Sequence, residues 1–135
     1  MIYHRQMRVE FNHCDPAGIV FYPRYFEMTN SLAENFFRDV VDFPYEAMMA
    51  AGQGVPTARI DMTFHAPSRL GDLLDWQLRL IRLGGSSLDL TLEARCAGER
   101  RLSGTQTLVQ INATGRPLPW TDEIRARINS YMEAT

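Results

Sequence analysis

The strongest structural signal in this chain is the segment 22–39, which reads YPRYFEMTNSLAENFFRD. Its apolar side chains recur at the three- and four-residue spacing that forms one face of a helix. They are Tyr22, Tyr25, Phe26, Leu32, Ala33, Phe36 and Phe37. Pro23 suits the first turn of a helix, where its missing N–H costs nothing. The segment therefore predicts one long helix that ends near Asp39 and lies in the core rather than at the surface.

After Gly54 the spacing of the apolar residues changes from the helical period to alternation. Apolar side chains at every second position predict strands with one buried face and one exposed face. The alternating runs are Ala58 to Phe64, Leu74 to Leu80 and Leu88 to Ala94, and a more mixed fourth run extends from Leu102 to Asn112. The pairs Gly84-Gly85 and Ala97-Gly98 predict hairpin turns, so these strands should be antiparallel neighbours.

Shorter elements complete the predicted domain. We expect a first strand over Ile2–Phe11, a turn over 12–18, a short helix over Tyr45–Ala51 that stops at Gly52, and a closing helix from about Thr121. A single apolar helix against one face of an antiparallel sheet is an α+β arrangement. The sequence therefore predicts one domain over residues 1–135. The edge strands of such a sheet need cover, which favours a dimer.

The composition excludes several classes of function. The chain has 135 residues and a net charge of −2, and all 14 of its positive side chains are arginine. Chemistry that needs a lysine, such as a Schiff base or a P-loop, is therefore excluded. The charge balance offers no basic field for nucleic acid. No apolar run approaches the roughly 20 residues that span a bilayer.

The N-terminal residues and the cysteines indicate the compartment. Residues 1–9 show no signal-peptide pattern, so none is expected. The two cysteines, Cys14 and Cys96, form no zinc-binding pattern, and no metal site is predicted. Two isolated cysteines fit a reducing environment, and a single Cys14–Cys96 disulfide is the alternative. We therefore expect a cytoplasmic protein.

Residues 13–23, HCDPAGIVFYP, form the densest group of chemically interesting side chains. They join the first strand to the long helix, and N–H groups at the start of a helix can polarise a carbonyl oxygen. Because Pro23 has no N–H, the nearest donors are those of Tyr22, Arg24 and Tyr25. Asp15 beside such donors could act on that carbonyl. It could also be an ordinary turn residue before a proline.

Cys14 offers a second chemistry, a thiol nucleophile with a histidine as its base. His13 precedes it, but neighbouring side chains in an extended segment point to opposite sides. We therefore interpret Cys14 as a small buried thiol.

The loop resembles a known active-site motif. The residues Phe11-x-x-Cys14-Asp15-Pro16-Ala17-Gly18-Ile19-Val20-x-Tyr22-Pro23-x-Tyr25 are similar to the active-site loop of the 4-hydroxybenzoyl-CoA thioesterase family. The likeness continues through Pro67-Ser68-Arg69-Leu70-Gly71-Asp72, which resembles the family's turn between two strands. Length and element order agree over nearly the whole chain.

The resemblance implies a hotdog fold, in which an antiparallel sheet wraps a long helix. It also implies a homodimer with one continuous sheet, and often a dimer of dimers, so a homotetramer is expected. The implied reaction is hydrolysis of an acyl-CoA thioester without a metal, with coenzyme A as part of the substrate and no separate cofactor. Asp15 matches the catalytic carboxylate, either as nucleophile or as the base that activates water. Tyr22 matches the residue whose backbone N–H holds the thioester oxygen, and Gly18 would allow close approach of the backbone to the substrate.

Three positions bear on which acyl group the protein would accept. His13 stands where many relatives have an acidic residue. Pro23 stands where other relatives have a histidine, so the chain resembles the proline-bearing, aryl-CoA branch. Asn30 matches the acidic residue that faces the aryl hydroxyl group in the hydroxybenzoyl-specific relative. As a neutral side chain, Asn30 could hydrogen-bond a polar acyl group or could simply lie on the helix surface.

The hairpin at Arg82, Gly85, Ser86 and Ser87 is the candidate site for the phosphates of coenzyme A. Hydroxyl, amide and guanidinium groups all bind phosphate, and family members bind the nucleotide near this turn. The alternative is an ordinary two-glycine turn beside a solvated arginine.

Three functions follow, in this order. The first is an acyl-CoA thioesterase that acts on an aryl or short acyl group. The second is a hotdog-fold hydratase or dehydratase, which would need a histidine and a carboxylate as acid and base; none of His4, His13 and His65 lies in such a motif. The third is a non-catalytic acyl-CoA binding protein, because a fold does not dictate a function, although the intact Asp15 loop argues against it.

Overall fold

The computed structural model describes residues 1–134, so Thr135, the last residue of the predicted domain, lies outside the described residues. The strands are β1 Ile2–Arg8, β2 Thr57–Phe64, β3 Leu73–Leu83, β4 Ser87–Cys96 and β5 Glu99–Val109. The helices are α1 Arg24–Phe36, α2 Tyr45–Ala50 and α3 Asp122–Glu133. The five strands form one antiparallel sheet in the order β1-β3-β4-β5-β2. This arrangement confirms the predicted α+β class.

The core lies between α1 and the inner face of the sheet. Tyr25, Leu32 and Phe36 of α1 are buried, as the helical spacing predicted. They belong to one apolar cluster with the inward residues of β3 and β4, which are Leu74, Trp76, Leu78, Leu80, Leu88, Leu90, Leu92 and Ala94. Burial of each large apolar side chain contributes about 1.5–3 kcal/mol. The buried residues of β3 and β4 are the ones that the alternation predicted to face the core, so this prediction is confirmed.

The end of the long helix differs from the prediction. α1 ends at Phe36, and the chain continues to Val41 as a π-helical turn. Asp42 then stops the turn with left-handed backbone angles, at φ 56°. Arg127 of α3 supports this end, because its Nη1 donates a hydrogen bond to the Val41 carbonyl at 2.9 Å. The wider turn accompanies complete burial of two consecutive aromatic residues, Phe36 and Phe37.

The first strand is also shorter than predicted, since β1 ends at Arg8 rather than at Phe11. Val9 N–H still donates to the Asp72 carbonyl at 2.8 Å, in register with the β1–β3 ladder. The ladder ends there because Asp72 N–H turns back to the Arg69 carbonyl at 3.0 Å. Residues 11–13 then form a 3₁₀ turn. The predicted short helix is confirmed to within one residue. The closing helix begins after Thr121, whose hydroxyl accepts a hydrogen bond from Ile124 N–H at 3.2 Å.

The alternation in β2 does not produce a buried face, which contradicts the prediction for this strand. β2 is an edge strand, and α1 lies over the β1 and β3 half of the sheet. Ile60 and Met62 are therefore only half-buried, and Phe64 is 44% exposed. Two clefts lie between α1 and β2, and we call this region the α1–β2 groove.

Both predicted hairpins are present. Ala97 and Gly98 form a two-residue turn with positive φ at both positions. The turn after β3 spans 84–86 without positive φ at its glycines. Arg125 of α3 instead holds this turn, because its Nη2 donates to the Gly84 carbonyl at 2.7 Å. No helix within residues 1–134 is long and apolar enough to cross a membrane.

Candidate active site

The loop between β1 and α1 is a tight hairpin. Cys14 and Val20 pair as an antiparallel bridge, and Asp15 N–H donates to the Ile19 carbonyl at 3.0 Å. Gly18 closes the turn with φ 80°. A Cβ atom at Gly18 would meet no atom within 4 Å. The left-handed backbone, rather than contact with a neighbouring atom, therefore favours glycine at this position.

The Asp15 carboxylate takes part in this turn with one oxygen only. Oδ1 accepts a hydrogen bond from Ala17 N–H at 2.9 Å, as in an Asx turn. No group of residues 1–134 donates a hydrogen bond to Oδ2. The structural and the chemical interpretations of Asp15 are thus compatible, because the turn orients the carboxylate and leaves one oxygen free.

A second turn, Ser68–Asp72, holds the loop against the sheet. Val20 N–H donates to the Ser68 carbonyl at 2.8 Å, and Leu70 N–H donates to the Gly18 carbonyl at 3.4 Å. The segment that resembles the family's turn between strands therefore supports the active-site loop directly.

The Asp72 side chain fixes this second turn from within. Its Oδ2 accepts a hydrogen bond from Arg69 N–H at 2.9 Å and another from Arg101 Nη1 at 2.7 Å. The Arg69 N–H, followed by the Arg101 guanidinium, lowers the pKa of Asp72 below its ordinary value. Asp72 is consequently a carboxylate at neutral pH.

One backbone donor is free at the start of α1. Arg24 N–H donates to the Phe21 carbonyl at 2.8 Å, and Tyr25 N–H donates to the Tyr22 carbonyl at 3.1 Å. These bonds correct the expectation that all three nearby N–H groups are available. In the described part of the chain, Tyr22 N–H donates to no acceptor. Pro23, which directly precedes α1, has no N–H to offer.

A cleft of about 440 Å³ opens beside Tyr22 at one end of the α1–β2 groove. Its walls are aromatic. The rings of Tyr25 and Phe64 stack with centroids 5.6 Å apart, and the Tyr22 ring meets Phe64 edge-on at 6.1 Å. Burial raises the pKa of Tyr25, so its phenol stays neutral. Sequence reasoning did not identify Phe64 as a cleft residue, because alternation indicated only a core position.

His65 lies at the rim of this cleft. Its Nε2 is 2.8 Å from Ser103 Oγ on the neighbouring strand. Because His65 follows the last residue of β2, this contact ties the end of β2 to β5.

A second cleft, of about 220 Å³, lies farther along the α1–β2 groove and includes Asn30. Its lining residues are Phe26, Thr29, Asn30, Thr57, Ile60 and Gln106. Asn30 itself is exposed at the surface of α1. Sequence reasoning missed Gln106, and the available signal was the mixed character of the fourth alternating run.

The candidate phosphate-binding residues do not lie near the Asp15 loop of the same chain. Arg82 and the turn to Ser87 are at one end of β3, whereas the Ser68–Asp72 turn precedes its other end. β3 has 11 residues, so its ends are separated by about 33 Å. In one chain these residues and Asp15 cannot contact the same small group, and the phosphate site stays a prediction.

Cys14 shows no sign of nucleophilic activation. Its Sγ donates a hydrogen bond to the Glu10 carbonyl at 3.6 Å, and the side chain contacts the apolar core. His13 Nδ1 accepts a hydrogen bond from Glu10 N–H at 2.9 Å. His13 and Cys14 therefore make separate hydrogen bonds, each to the backbone of Glu10, and none to each other. Across residues 1–134, no group of three or more His, Cys, Asp or Glu side chains converges in a way that could hold a metal ion.

Comparison with protein families assigns most of the chain. Residues 9–128 match the model of the thioesterase-like superfamily, a span that includes the Asp15 loop, α1 and the strands β2 to β5. The chain belongs to this superfamily. The assignment confirms the resemblance found in the sequence, and it indicates a thioester hydrolase.

Individual proteins resemble this chain over different lengths. The curated 4-hydroxybenzoyl-CoA thioesterase of Pseudomonas sp. strain CBS-3 is 47% identical over 32 residues, which are 24% of this chain and 23% of that protein. The match thus spans about a quarter of that relative. A gentisyl-coenzyme A thioesterase superposes with a TM-score of 0.83 at 26% identity, over 93% of this chain and 99% of that chain.

A 1,4-dihydroxy-2-naphthoyl-CoA thioesterase from Synechocystis superposes with a TM-score of 0.88 at 16% identity, over 99% of this chain and 100% of that chain. At this identity the likeness concerns the fold alone. Together with the superfamily match, these superpositions confirm the predicted hotdog fold.

Proposed function

We propose that this protein hydrolyses an acyl-CoA thioester to the free acid and coenzyme A, and that the acyl group is aryl or short. The observation that carries this proposal is the unpaired Tyr22 N–H, which lies at the start of α1 and follows the hairpin that orients Asp15. A carbonyl oxygen at this N–H would also lie at the positive end of the helix dipole. The aromatic cleft beside Tyr22 supplies an apolar site for the acyl group.

Asp15 acts on the thioester by one of two routes. As a nucleophile, its free oxygen bonds to the carbonyl carbon, the C–S bond breaks and coenzyme A leaves as a thiolate. Water then hydrolyses the resulting anhydride. As a general base, Asp15 takes a proton from water, which attacks the carbonyl carbon and releases the same thiolate. In both routes Tyr22 N–H stabilises the negative charge that develops on the carbonyl oxygen.

The distance between the Asp15 loop and the β3–β4 turn supports a site built from two chains. Tyr22 is 58% exposed and Phe21 48% exposed beside the uncovered strand β2. If two copies join their β2 strands in antiparallel fashion, each strand reverses direction relative to the other. The end of one sheet that carries Asp15 then lies beside the end of the other that carries Arg82, Gly85, Ser86 and Ser87. We therefore propose a homodimer, and a dimer of dimers in turn, whose phosphate-binding residues come from the second copy.

The test of the proposed activity is a panel of acyl-CoA thioesters read by thiol release with Ellman's reagent. The panel contains benzoyl, hydroxybenzoyl and short-chain acyl groups, and an enzyme-only blank corrects for Cys14 and Cys96. We expect at least one aryl or short acyl thioester to be hydrolysed. Release of no thiol from any substrate would contradict the proposal. Hydration of an enoyl thioester without thiol release would favour the hydratase, and binding without turnover would favour a non-catalytic protein.

The variant Asp15→Asn tests the catalytic role. Loss of the carboxylate should lower kcat by about 10²–10⁴-fold, because neither route can proceed without it. Binding of coenzyme A, measured by calorimetry, should be unchanged. Asp122→Asn is the matched control, since Asp122 is an exposed residue at the start of α3. Near-normal turnover by Asp15→Asn would contradict a catalytic role for Asp15.

A further inference from the structure

Gln106 is a buried polar residue with an unused acceptor. It lies on β5 directly opposite Ile60 of β2, and only 4% of its surface is exposed. Its Nε2 donates a hydrogen bond to Thr57 Oγ1 at 2.8 Å. Its Oε1 is buried and has no hydrogen-bond partner in residues 1–134. Burying a carbonyl oxygen without a hydrogen-bond donor lowers the stability of the fold, and native proteins rarely contain such an oxygen. This oxygen therefore points to a ligand that donates to it.

The surroundings of Gln106 define the chemistry of that ligand. Gln106 lines the second cleft, of about 220 Å³, between the apolar side chains of Phe26 and Ile60. A cavity of about 150 Å³ is enough to hold benzene, so one aromatic ring fits this cleft. None of its lining residues is charged. A charged substituent would therefore lose its water without gaining an ionic partner, which disfavours it.

The second cleft is within reach of the proposed reaction centre. Tyr22 lies two residues before α1, Phe26 lies about one turn later and Asn30 about one turn after that. The six residue-to-residue steps from Arg24 to Asn30 rise about 9 Å along the helix. An acyl group whose carbonyl oxygen accepts from Tyr22 N–H can therefore extend along the α1–β2 groove toward Gln106.

We propose that Gln106 makes the enzyme select acyl groups that carry an uncharged hydrogen-bond donor, such as a ring hydroxyl, which donates to Gln106 Oε1. This proposal rests on the proposed thioesterase function and names the class of its substrate. Thr29 differs from Gln106 in that its hydroxyl already makes a hydrogen bond, which it donates to the Phe26 carbonyl at 3.0 Å, whereas Gln106 Oε1 makes none. Asn30, exposed at the mouth of the cleft, is uncharged as well.

Binding of stable analogues tests the proposal independently of hydrolysis. The probes are thioethers of coenzyme A that carry a phenacyl, a 3- or 4-hydroxyphenacyl or a 4-methoxyphenacyl group, titrated into the full-length protein by calorimetry. We expect one hydroxylated probe to bind about five- to tenfold more tightly than the phenacyl probe, as one neutral hydrogen bond would give. The methoxy probe, which accepts but cannot donate, should show no such gain.

The variant Gln106→Met keeps the shape of the side chain and removes its carbonyl. It should bind the phenacyl and hydroxyphenacyl probes equally. Gln110→Met is the matched control. Gln110 is also buried, just beyond the end of β5, with an unpaired Oε1, but its Nε2 donates to Gln53 and it does not line the second cleft. The control should retain the preference for the hydroxylated probe.

Three results would overturn the role of Gln106. They are equal binding of all the probes by the wild type, tight binding of the methoxy probe, and an unchanged preference in Gln106→Met. The first two need no variant, so a folding defect in Gln106→Met leaves the test intact. If the hydroxyl preference holds and no thioester is cleaved, the proposal of hydrolysis fails while the recognition by Gln106 stands.

Discussion

At the scale of single residues, the two carboxylate oxygens of Asp15 have different roles, one structural and one chemical. Oδ1 of Asp15 closes the Asx turn, and Oδ2 accepts no hydrogen bond from residues 1–134. The direction of the free oxygen therefore depends on the backbone of the turn. Gly18 holds that backbone in a conformation that other residues adopt at a cost.

The variant Gly18→Ala should affect both stability and rate. An alanine at φ 80° costs about 1–2 kcal/mol, and relief of this strain would reorient Asp15. We expect a loss of about 1 kcal/mol in the free energy of unfolding, measured in urea, and a fall in kcat. Gly54→Ala is the control, since Gly54 has no positive φ and a Cβ there makes an ordinary contact. Unchanged stability and rate in Gly18→Ala would show that the turn tolerates a side chain.

Sequence reasoning identified Asp15, Gly18 and Tyr22 because their chemistry follows from local order along the chain. It could not show which N–H stays unpaired, since that depends on carbonyls that fold back onto Arg24 and Tyr25. It also missed Gln106, because a glutamine within an alternating strand gives no local sign that its oxygen lacks a partner.

At the scale of elements, the Ser68–Asp72 turn supports the active-site loop. The Asp72 carboxylate in turn stabilises the Ser68–Asp72 turn by hydrogen bonds. The hydrogen bonds to Asp72 hold its pKa below the ordinary value. Such a group stabilises the fold above its unfolded pKa, and this stabilisation is lost as the pH falls through the lower folded pKa.

The variant Asp72→Asn should be less stable than the wild type at pH 7 by roughly 1–2 kcal/mol, because the hydrogen bonds from Arg69 and Arg101 lose their charged acceptor. The difference should shrink as the pH falls below about 4, where the wild type loses the same contribution. Urea unfolding at several pH values measures it. Glu99→Gln is the control, since Glu99 is a largely exposed partner of Arg101 and should contribute at most about 1 kcal/mol. A stability gap that does not change with pH would contradict the role of the Asp72 charge.

The elements themselves were predicted best where periodicity and burial coincide, as in β3 and β4. The prediction failed at the ends of β1 and α1, where single contacts to distant residues decide the boundary. Asp72, which faces Val9, turns back to bond to Arg69, and Arg127 supports the end of the π-helical turn. For β2 the alternation correctly indicates the inward side, but the position of the strand at the sheet edge leaves that side uncovered.

At the scale of the whole molecule, one chain has only part of the proposed site. The separation of Asp15 from Arg82 along β3 predicts that a mixture of two defective variants recovers activity. Asp15→Asn and Arg82→Ala, refolded together, should form mixed dimers in which one of the two sites has both residues. At low substrate concentration the mixture should reach about a quarter of the wild-type rate, as random pairing gives.

The same mixture distinguishes a site built from two chains from a site built within one chain. If each site were formed by one chain, the mixture would show only the average of its components. Asp15→Asn mixed with Asp122→Asn is the control, because the second variant should carry a complete set of site residues. Sedimentation of the wild type provides an independent measure, and a monomer at assay concentration would contradict the two-chain site.

The unpaired N–H of Tyr22 has a consequence for spectroscopy. Because Pro23 follows it, no adjacent amide proton lies on that side of the chain. In protein labelled with ¹⁵N-tyrosine, only five backbone amide signals are expected. The Tyr22 signal should exchange rapidly with solvent in the free protein and become protected and shifted downfield when a carbonyl ligand binds. This single resonance would count occupied sites during a titration. In slow exchange, a third Tyr22 signal that is present only near half saturation, beside those of the free and occupied sites, would reveal communication between the two halves of a dimer.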